Sequence, residues 1–351
     1  MAKNKNPRLP AIIQHGWPVL PHVVVDAYNE ELKDGDGFLG DRASKGAFRD
    51  ILDKWRKDIA DNREDPFGDT PTWELTKSQL DKYLEGDDPI AAALIHTAVE
   101  EFAGELATVT ARFLKVDEWK DTERIVVGGG LSGSHIGKIA VGRTLILLKD
   151  RGFEVDMTTI TNHPDEAGLL GGLELAPSWI LDGHDAIIAA DIGGTNLRIG
   201  VIELKMKKGD ITKAAVWKSS LWRHKDDDPS RDDAIARMAE MIEKLMKQAD
   251  EEKLRVAPFI AIGCPGIITA EGTIEKGAQN LPGDWEEQDF SLSGELAGKL
   301  PLIHGHEPLF VIHNDAVVQG LSEAANMQDV ERWGVFTIGT GLGNARFTNR
   351  K

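Results

Sequence analysis

Hydrophobic and polar positions along this chain fall into two rhythms. Leu197, Ile199 and Val201 alternate with Arg198 and Gly200, the period-2 pattern of a strand with one face on a core. Just before them an unbroken apolar run, Ile187 to Ala190, ends in Asp191 and the glycines Gly193 and Gly194. The reading is strand, glycine-rich turn, strand. Trp333 to Phe347, WGVFTIGTGLGNARF, repeats that form near the other end, and Val216 with its apolar neighbours suggests a third strand after the first hairpin. Helical spacing appears elsewhere. Phe48, Ile51, Leu52, Trp55 and Ile59 share a face, as do Ile235, Met238, Met241, Ile242, Leu245 and Ala249 within residues 230–252. The methionines read as core rather than as a ligand box. Thr76 with Gln79 forms a capping box for a short helix that Gly86 ends. Asp88 and Pro89 open a long helix to about Leu114, apolar on most sides and therefore buried. Residues 256–263 read as a buried strand, and Ala316–Ala325 as a helix opening after Asn314 and Asp315.

Composition narrows the class. With 351 residues, 41% hydrophobic and 28% charged, the chain suits about two domains with ample core. A net charge of −17 argues against nucleic acid or an anionic membrane as partner, since both need a basic surface. The single cysteine, Cys264, excludes an internal disulfide, fits a reducing compartment and reads as a small buried apolar residue. No apolar run approaches the ~20 residues of a membrane span, and MAKNKNPRLP lacks the apolar stretch of a signal peptide. A cytoplasmic location follows as the expectation. Residues 1–40, rich in Gly, Pro and Asp, carry short apolar runs at Ala11–Ile13 and Val23–Val25. Asp34 and Asp36 resemble the start of a calcium loop, but Phe38 stands where a third oxygen ligand belongs, so the segment reads as a solvated turn.

Two candidate chemistries compete. Glycines after Asp191 let backbone N–H groups approach a phosphate with no Cβ in the way, and Asp191 could hold a phosphate-bound magnesium through water. An ordinary hairpin is the plainer reading of the same residues. The other candidate is Arg124–Ile160, where Gly128, Gly130 and Gly133 match G-x-G-x-x-G between a strand and a helix. That pattern would imply an FAD- or NAD-binding oxidoreductase. Its test is an acidic residue ending the second strand, and there the chain has Met157, Thr158 and Thr159. Asp156 comes too early, and Asp150 lies on the preceding helix.

The two glycine hairpins resemble the phosphate-binding pair of the actin, hexokinase and Hsp70 fold. With IAIGCPGI (Ile260–Ile267), GAQNLPGDW (Gly277–Trp285) and VIHNDAVVQGLSE (Val311–Glu323), the chain resembles the ROK sugar kinases, bacterial glucokinases included. In that family a strand ending in GGG and a DEAGLLGAA-like segment follow the second hairpin. Here GGG at Gly128–Gly130 and DEAGLLGGLELA at Asp165–Ala176 precede the first one. The order suggests circular permutation, with residues 1 to about 176 carrying the usual C-terminal part. Met1 and Lys351 would then lie at the surface of one lobe.

The resemblance implies a two-lobed α/β fold of the actin-like ATPase (ribonuclease H-like) type, circularly permuted, with a mixed sheet and helices in each lobe. Its nucleotide lobe would be 1–176 completed by 313–351, and its sugar lobe 177–312. It implies ATP- and Mg²⁺-dependent phosphorylation of a hexose, most simply glucose at its 6-hydroxyl, and it allows a homodimer. Asp315 is the implied base, with a helix N-cap as the structural alternative. Asn280, Asn314, Asp315 and Gly266 are the implied sugar contacts. Asp191, Gly193, Gly194, Thr195, Asn196, Gly339, Thr340 and Gly341 would serve the phosphates, facing one another across the donor, and Gly128, Gly129 and Gly130 the adenosine. Valine at Gly129 or Gly341 is expected to weaken ATP binding and spare the fold.

Departures from the family pattern matter too. NLPGDW carries Asp284 as an extra residue. One cysteine leaves no zinc loop, so no structural zinc is expected. GWPVLPH offers His22 without the family's glutamate, either facing the sugar or, as for most lone histidines, structural. His304 and His306 lack further ligands for a metal, and Arg198 and Lys276 read as surface residues. No helix-turn-helix precedes the kinase motifs, which disfavours a repressor. A catalytically silent sugar or nucleotide sensor is the remaining alternative.

Overall fold

The computed structural model describes residues 14–35, 37–61, 63–206 and 213–350. The expectations for Ala11–Ile13, Asp36, Met1 and Lys351 lie outside them. The chain divides into two compact units. The first comprises the residues up to Asn29, Glu166–Gln328 and the chain from Thr348 on. The second comprises Glu30–Asp165 and Asp329–Phe347.

In chain order the elements are β1 (Val23–Tyr28), β2 (Lys33–Asp34), β3 (Gly37–Phe38), α1 (Lys45–Ala60), α2 (Lys77–Glu85), α3 (Pro89–Phe113), β4 (Arg124–Gly128), α4 (His135–Asp150), β5 (Asp156–Thr159), α5 (Pro164–Gly171) and α6 (Ser178–Leu181). They continue with β6 (Ala186–Ile192), β7 (Leu197–Glu203), β8 (Ala215–Trp222), α7 (His224–Asp227), α8 (Arg231–Glu251), β9 (Val256–Cys264), α9 (Leu292–Lys299), β10 (Leu309–Asn314), α10 (Asp315–Leu321), β11 (Arg332–Ile338) and β12 (Leu342–Asn349).

The first unit is built on a mixed five-stranded sheet, β10-β9-β6-β7-β8. The glycine turn makes β6 and β7 antiparallel, with Asp191 opposite Arg198, while β9 runs parallel to both β6 and β10. One face packs on α8, whose Ile235, Met238, Met241, Ile242 and Leu245 all enter the core, as their spacing predicts. Ser230 caps that helix, exchanging hydrogen bonds with Asp233. The other face meets a run of glycines at the end of α5. A Cβ on Gly172 would lie 2.8 Å from the Ala261 Cβ and 3.2 Å from that of Ala189, so only glycine lets this backbone rest on the sheet.

In the second unit β12, β11, β4 and β5 form a sheet, with β4 parallel to both β11 and β5. Helices α1 to α4 bury Phe48, Leu52, Phe102, Leu106, Val109 and Phe113 with the sheet residues Val127 and Phe336. Each such side chain contributes about 1.5–3 kcal/mol by leaving water. Trp119 stacks on Phe336 at 5.1 Å, and Gly334 leaves the room for its ring. The capping box at Thr76 and the cap and first-turn proline at Asp88–Pro89 form as the sequence predicts.

One helix differs. Ala316–Ala325 does not run through: α10 stops at Leu321, and a 3₁₀ turn follows at Ala324–Met327. Glu323 N–H reaches the Gly320 carbonyl and Asn326 N–H that of Glu323, tightening the chain from four-residue to three-residue bonds.

Gly171 is the tightest contact of α5. A Cβ there would lie 1.7 Å from the Val318 carbonyl oxygen of α10. Gly171→Ala should therefore lower stability by about 3 kcal/mol, the upper range for overpacking. Chemical denaturation checks this, and a loss under about 0.5 kcal/mol would show that α5 is not seated as described.

Candidate active site

The first unit gathers most of the sequence-nominated residues at the C-terminal ends of β6, β9 and β10. Asp191 sits in β6 at the last residues before the turn, opposite Gly263 of β9. Gly168 of α5 lies directly against its carboxylate, where a Cβ would come within 2.5 Å of Cγ. Asp315 opens α10 immediately after β10 and lies beside Gly263, where a Cβ would make ordinary contact at 3.5 Å from the Asp315 Cα. Burial, and then the negative charge of Asp191, push the Asp315 carboxyl up to about 7. Part of Asp315 still reaches solvent. A carboxyl with these properties can exchange a proton near neutrality.

The N-cap alternative for Asp315 falls to its neighbour. Asn314 Oδ1 accepts from the N–H groups of Ala316 and Val317, at 3.0 and 3.2 Å, so Asn314 is the cap. Its Nδ2 donates to the Gly266 carbonyl at 3.0 Å, which leaves one amide hydrogen for a ligand. Gly266 holds φ +99°, and a Cβ would strike the Lys276 carbonyl at 2.5 Å. Asn280 is exposed and lies against Gly194, whose Cβ would fall 2.8 Å from that of Asn280. The NLPGDW loop and the first glycine turn therefore meet. Asp284, the extra residue, caps the loop by accepting from Glu286 N–H, while its carbonyl takes a hydrogen bond from Arg231.

The segment before β2 adds residues that carry no motif. Tyr28 Oη stands at 3.3 Å from Ile268 N and 3.4 Å from Ile268 O, gripping the segment after Gly266. Asn29, in left-handed backbone at φ 53°, places Nδ2 over Gly277. That Nδ2, Trp17 Nε1 and His313 Nε2 are buried without a hydrogen-bond partner. Burial pulls His313 down to about 4, so its ring is neutral at pH 7, and Nδ1 accepts from Asn314 N–H. His224 is the other residue with no sequence signal: it is buried, and its Nε2 lies 2.8 Å from the Gly193 carbonyl.

The second unit brings the other two glycine segments together. Gly129, at φ +83°, packs on the end of β11, where a Cβ would meet the Ile338 oxygen at 2.3 Å. The expectation that valine at Gly129 would spare the fold is thus corrected: this glycine is required by packing and by backbone conformation. Nothing lies within 4 Å of a Cβ at Gly341, so the expectation for Gly341 meets no such obstacle.

The dinucleotide reading of Gly128, Gly130 and Gly133 fails at the start of α4. A pyrophosphate would need the N–H groups there, but Asp81 of α2 takes those of His135 and Ile136, both at 3.1 Å, and Ser134 Oγ takes that of Gly137. Asp156, at the start of β5, pairs with Arg124 at 3.2 Å, at the wrong end of the strand for a ribose. Lys77 and Glu85, on the same face of α2 as Asp81, bond the Gly130 carbonyl and the His135 ring.

Residues outside these clusters have other partners. His22 is exposed and pairs with Glu174 at 2.7 Å, a bond that raises its pKa. His304 reaches Asp250 at 3.5 Å. Cys264 is fully buried, and burial with the nearby Asp315 charge pushes its thiol up. Among the described residues no three His, Cys, Asp or Glu side chains gather in a way that could hold a metal ion, and no helix is long and apolar enough to cross a membrane.

Both units are α/β, each built on a sheet that carries a glycine turn between two consecutive strands, β6–β7 in the first and β11–β12 in the second. Residues 187–351 match the model of the ROK family. The glucokinase of Thermotoga maritima is 28% identical over 166 residues, 46% of this chain and 44% of that protein. The chain thus spans less than half the length of that relative. Among solved structures, the ROK hexokinase of Thermus thermophilus is 23% identical over 45% of each chain, with a TM-score of 0.33. An exopolyphosphatase from Cytophaga hutchinsonii is 13% identical over 48% of this chain and 51% of that one, with a TM-score of 0.26.

The raised carboxyl of Asp315 has a consequence for stability. Its folded-state pKa lies above the ordinary 3.8, so the folded protein holds this proton more tightly. Its contribution to stability therefore falls as pH rises from about 4 to about 7. Asp315→Asn should melt higher than the wild type at about pH 8, with the gap narrowing toward about pH 5. Thermal unfolding at both pH values checks it; an offset that does not change with pH would remove the buried-carboxyl assignment.

Proposed function

We propose that this protein transfers the terminal phosphoryl group of ATP to a hydroxyl of a hexose, most simply the 6-hydroxyl of glucose, with Asp315 as general base. The observation that carries this reading is the Asp315 carboxyl, partly solvent-accessible, raised to about 7 and relieved of capping by Asn314. It would accept the hydroxyl proton as the oxygen attacks phosphorus. Asn280, the remaining amide hydrogen of Asn314 and the backbone at Gly266 would orient the sugar. The first turn, Gly193 to Asn196, and the second, Gly339 to Gly341, would present N–H groups to the donor's phosphates. Gly128–Gly130 would serve the adenosine end.

The donor set fits magnesium. Asp191 is a carboxylate beside a second carboxyl, and Mg²⁺ is usually held by one or two carboxylates, waters and substrate phosphates rather than by a protein cage. Asp191 would hold it through water, and the ion would neutralise charge developing on the phosphoryl oxygens. The match of residues 187–351 to the ROK family model supports a sugar kinase, which we place in the cytoplasm and which could act as a homodimer.

We also infer a circular permutation. The family match begins at Ile187, whereas GGG at Gly128 and DEAGLLGG at Asp165 stand before it. A rearranged chain with residues 177–351 preceding 1–176 through a short Gly/Ser linker should unfold cooperatively and keep its activity. An insoluble or inactive product would count against permutation.

The functional reading is tested by ADP release across a panel of hexoses and amino sugars with wild type and Asp315→Asn. The variant should lose about 10²–10⁴-fold in kcat while sugar affinity holds, because the amide keeps the shape but accepts no proton. Turnover near the wild-type rate would remove Asp315 as base. ATP and sugar binding with no ADP release from the wild type would favour a sensor instead.

A further inference from the structure

The first glycine turn is held from behind by a histidine that no motif marks. His224, in the single turn α7, is 3% exposed, and its Nε2 lies 2.8 Å from the Gly193 carbonyl oxygen. A carbonyl can only accept, so Nε2 carries the hydrogen. The next residue of α7 supports the same turn: Lys225 N–H donates to the Thr195 carbonyl at 3.4 Å. Trp222 lies edge-on to the imidazole at 5.9 Å and is itself tied to Asp227 through Nε1 at 2.6 Å.

The geometry of the peptide gives this bond its meaning. A peptide is planar and trans, so its C=O and N–H point in opposite directions. Fixing the Gly193 oxygen toward His224 turns the N–H of Gly194 to the opposite side of the turn. Without that anchor the peptide between two glycines could rotate easily, because neither residue has a Cβ to limit it. The second glycine turn uses the same device with a main-chain donor. Lys45 N–H at the start of α1 donates to the Gly339 oxygen at 3.0 Å, so the Thr340 N–H is turned away from it. Each turn is also closed internally, Gly193 N–H to Asn196 O at 2.9 Å and Gly339 N–H to Gly341 O at 3.0 Å. Two turns in separate units thus share one arrangement, but only the first depends on a replaceable side chain.

We infer that His224 is a positioning residue, aiming the Gly194 N–H at the phosphates of the nucleotide donor. This rests on reading Gly193–Asn196 as the phosphate turn. Asparagine places its amide nitrogen where Nδ1 stands, and glutamine places it where Nε2 stands. His224→Gln should keep the KM for MgATP within about two-fold of wild type, whereas His224→Asn should raise it about ten-fold, the effect of losing one hydrogen bond. The KM for the hexose should hold in both, and calorimetry with MgADP should show the same contrast. Equal effects of Gln and Asn, or a parallel rise in both KM values, would overturn the inference, since a merely structural histidine would act through stability alone. A wild type that binds no MgATP and releases no ADP with any hexose would overturn the phosphate reading itself, and this inference with it.

Discussion

Two carboxyl groups held close together in low-dielectric surroundings are the constraint on which this site depends. Asp191 lies in β6 and Asp315 opens α10, and the charge of Asp191 adds to burial in raising the pKa of Asp315. Such a pair is unfavourable for stability unless a proton or a cation offsets it, and the fold must hold it in place against that cost. It does so by close packing of backbone. Gly168 presses on Asp191 and Gly171 on α10. Asn314 frees Asp315 by capping the helix in its stead.

The sheet supplies the direction. In the first unit β6, β9 and β10 run parallel, so Asp191, Cys264 and Asn314 all emerge at their C-terminal ends. That is where the ends of parallel strands leave a crevice open to ligands. The turn at Gly193 and the turn at Gly266 hang from the same edge. In the second unit the end of β4, at Gly128, and the end of β11, at Ile338, are neighbours for the same reason. Gly129 is the point where they touch.

Residues around this scaffold divide by how they are fixed. The turn residues have their carbonyls bonded from outside the turn, to His224 and to Lys45. On the other side of Gly266, Tyr28 and Asn29 brace the loop segment that follows it, from a part of the chain far away in sequence. The buried donors left there, Trp17 Nε1, Asn29 Nδ2 and His313 Nε2, mark polar space that apolar packing does not fill.

Local chemistry made much of this legible in the sequence. Alternation at Leu197–Val201, the capping residues Thr76 and Asp88, and the helical face from Ile235 to Leu245 are short-range signals, and each formed its element. Glycine turns after apolar strands likewise announce themselves, because backbone freedom is a property of the residue. What the sequence could not decide was which neighbour each glycine serves. Gly129 is required by packing against Ile338, a demand its motif did not announce, and the Gly128–Gly133 pattern lost its phosphate site to Asp81, a residue on another helix. Nor could it decide whether Asn314 or Asp315 caps α10, since both side chains can cap and only the path of the chain chooses. His224, Tyr28 and Asn29 carry no signal at all. Their roles exist through contacts 31 to 248 residues away in the chain, and such contacts are fixed only when the tertiary structure closes.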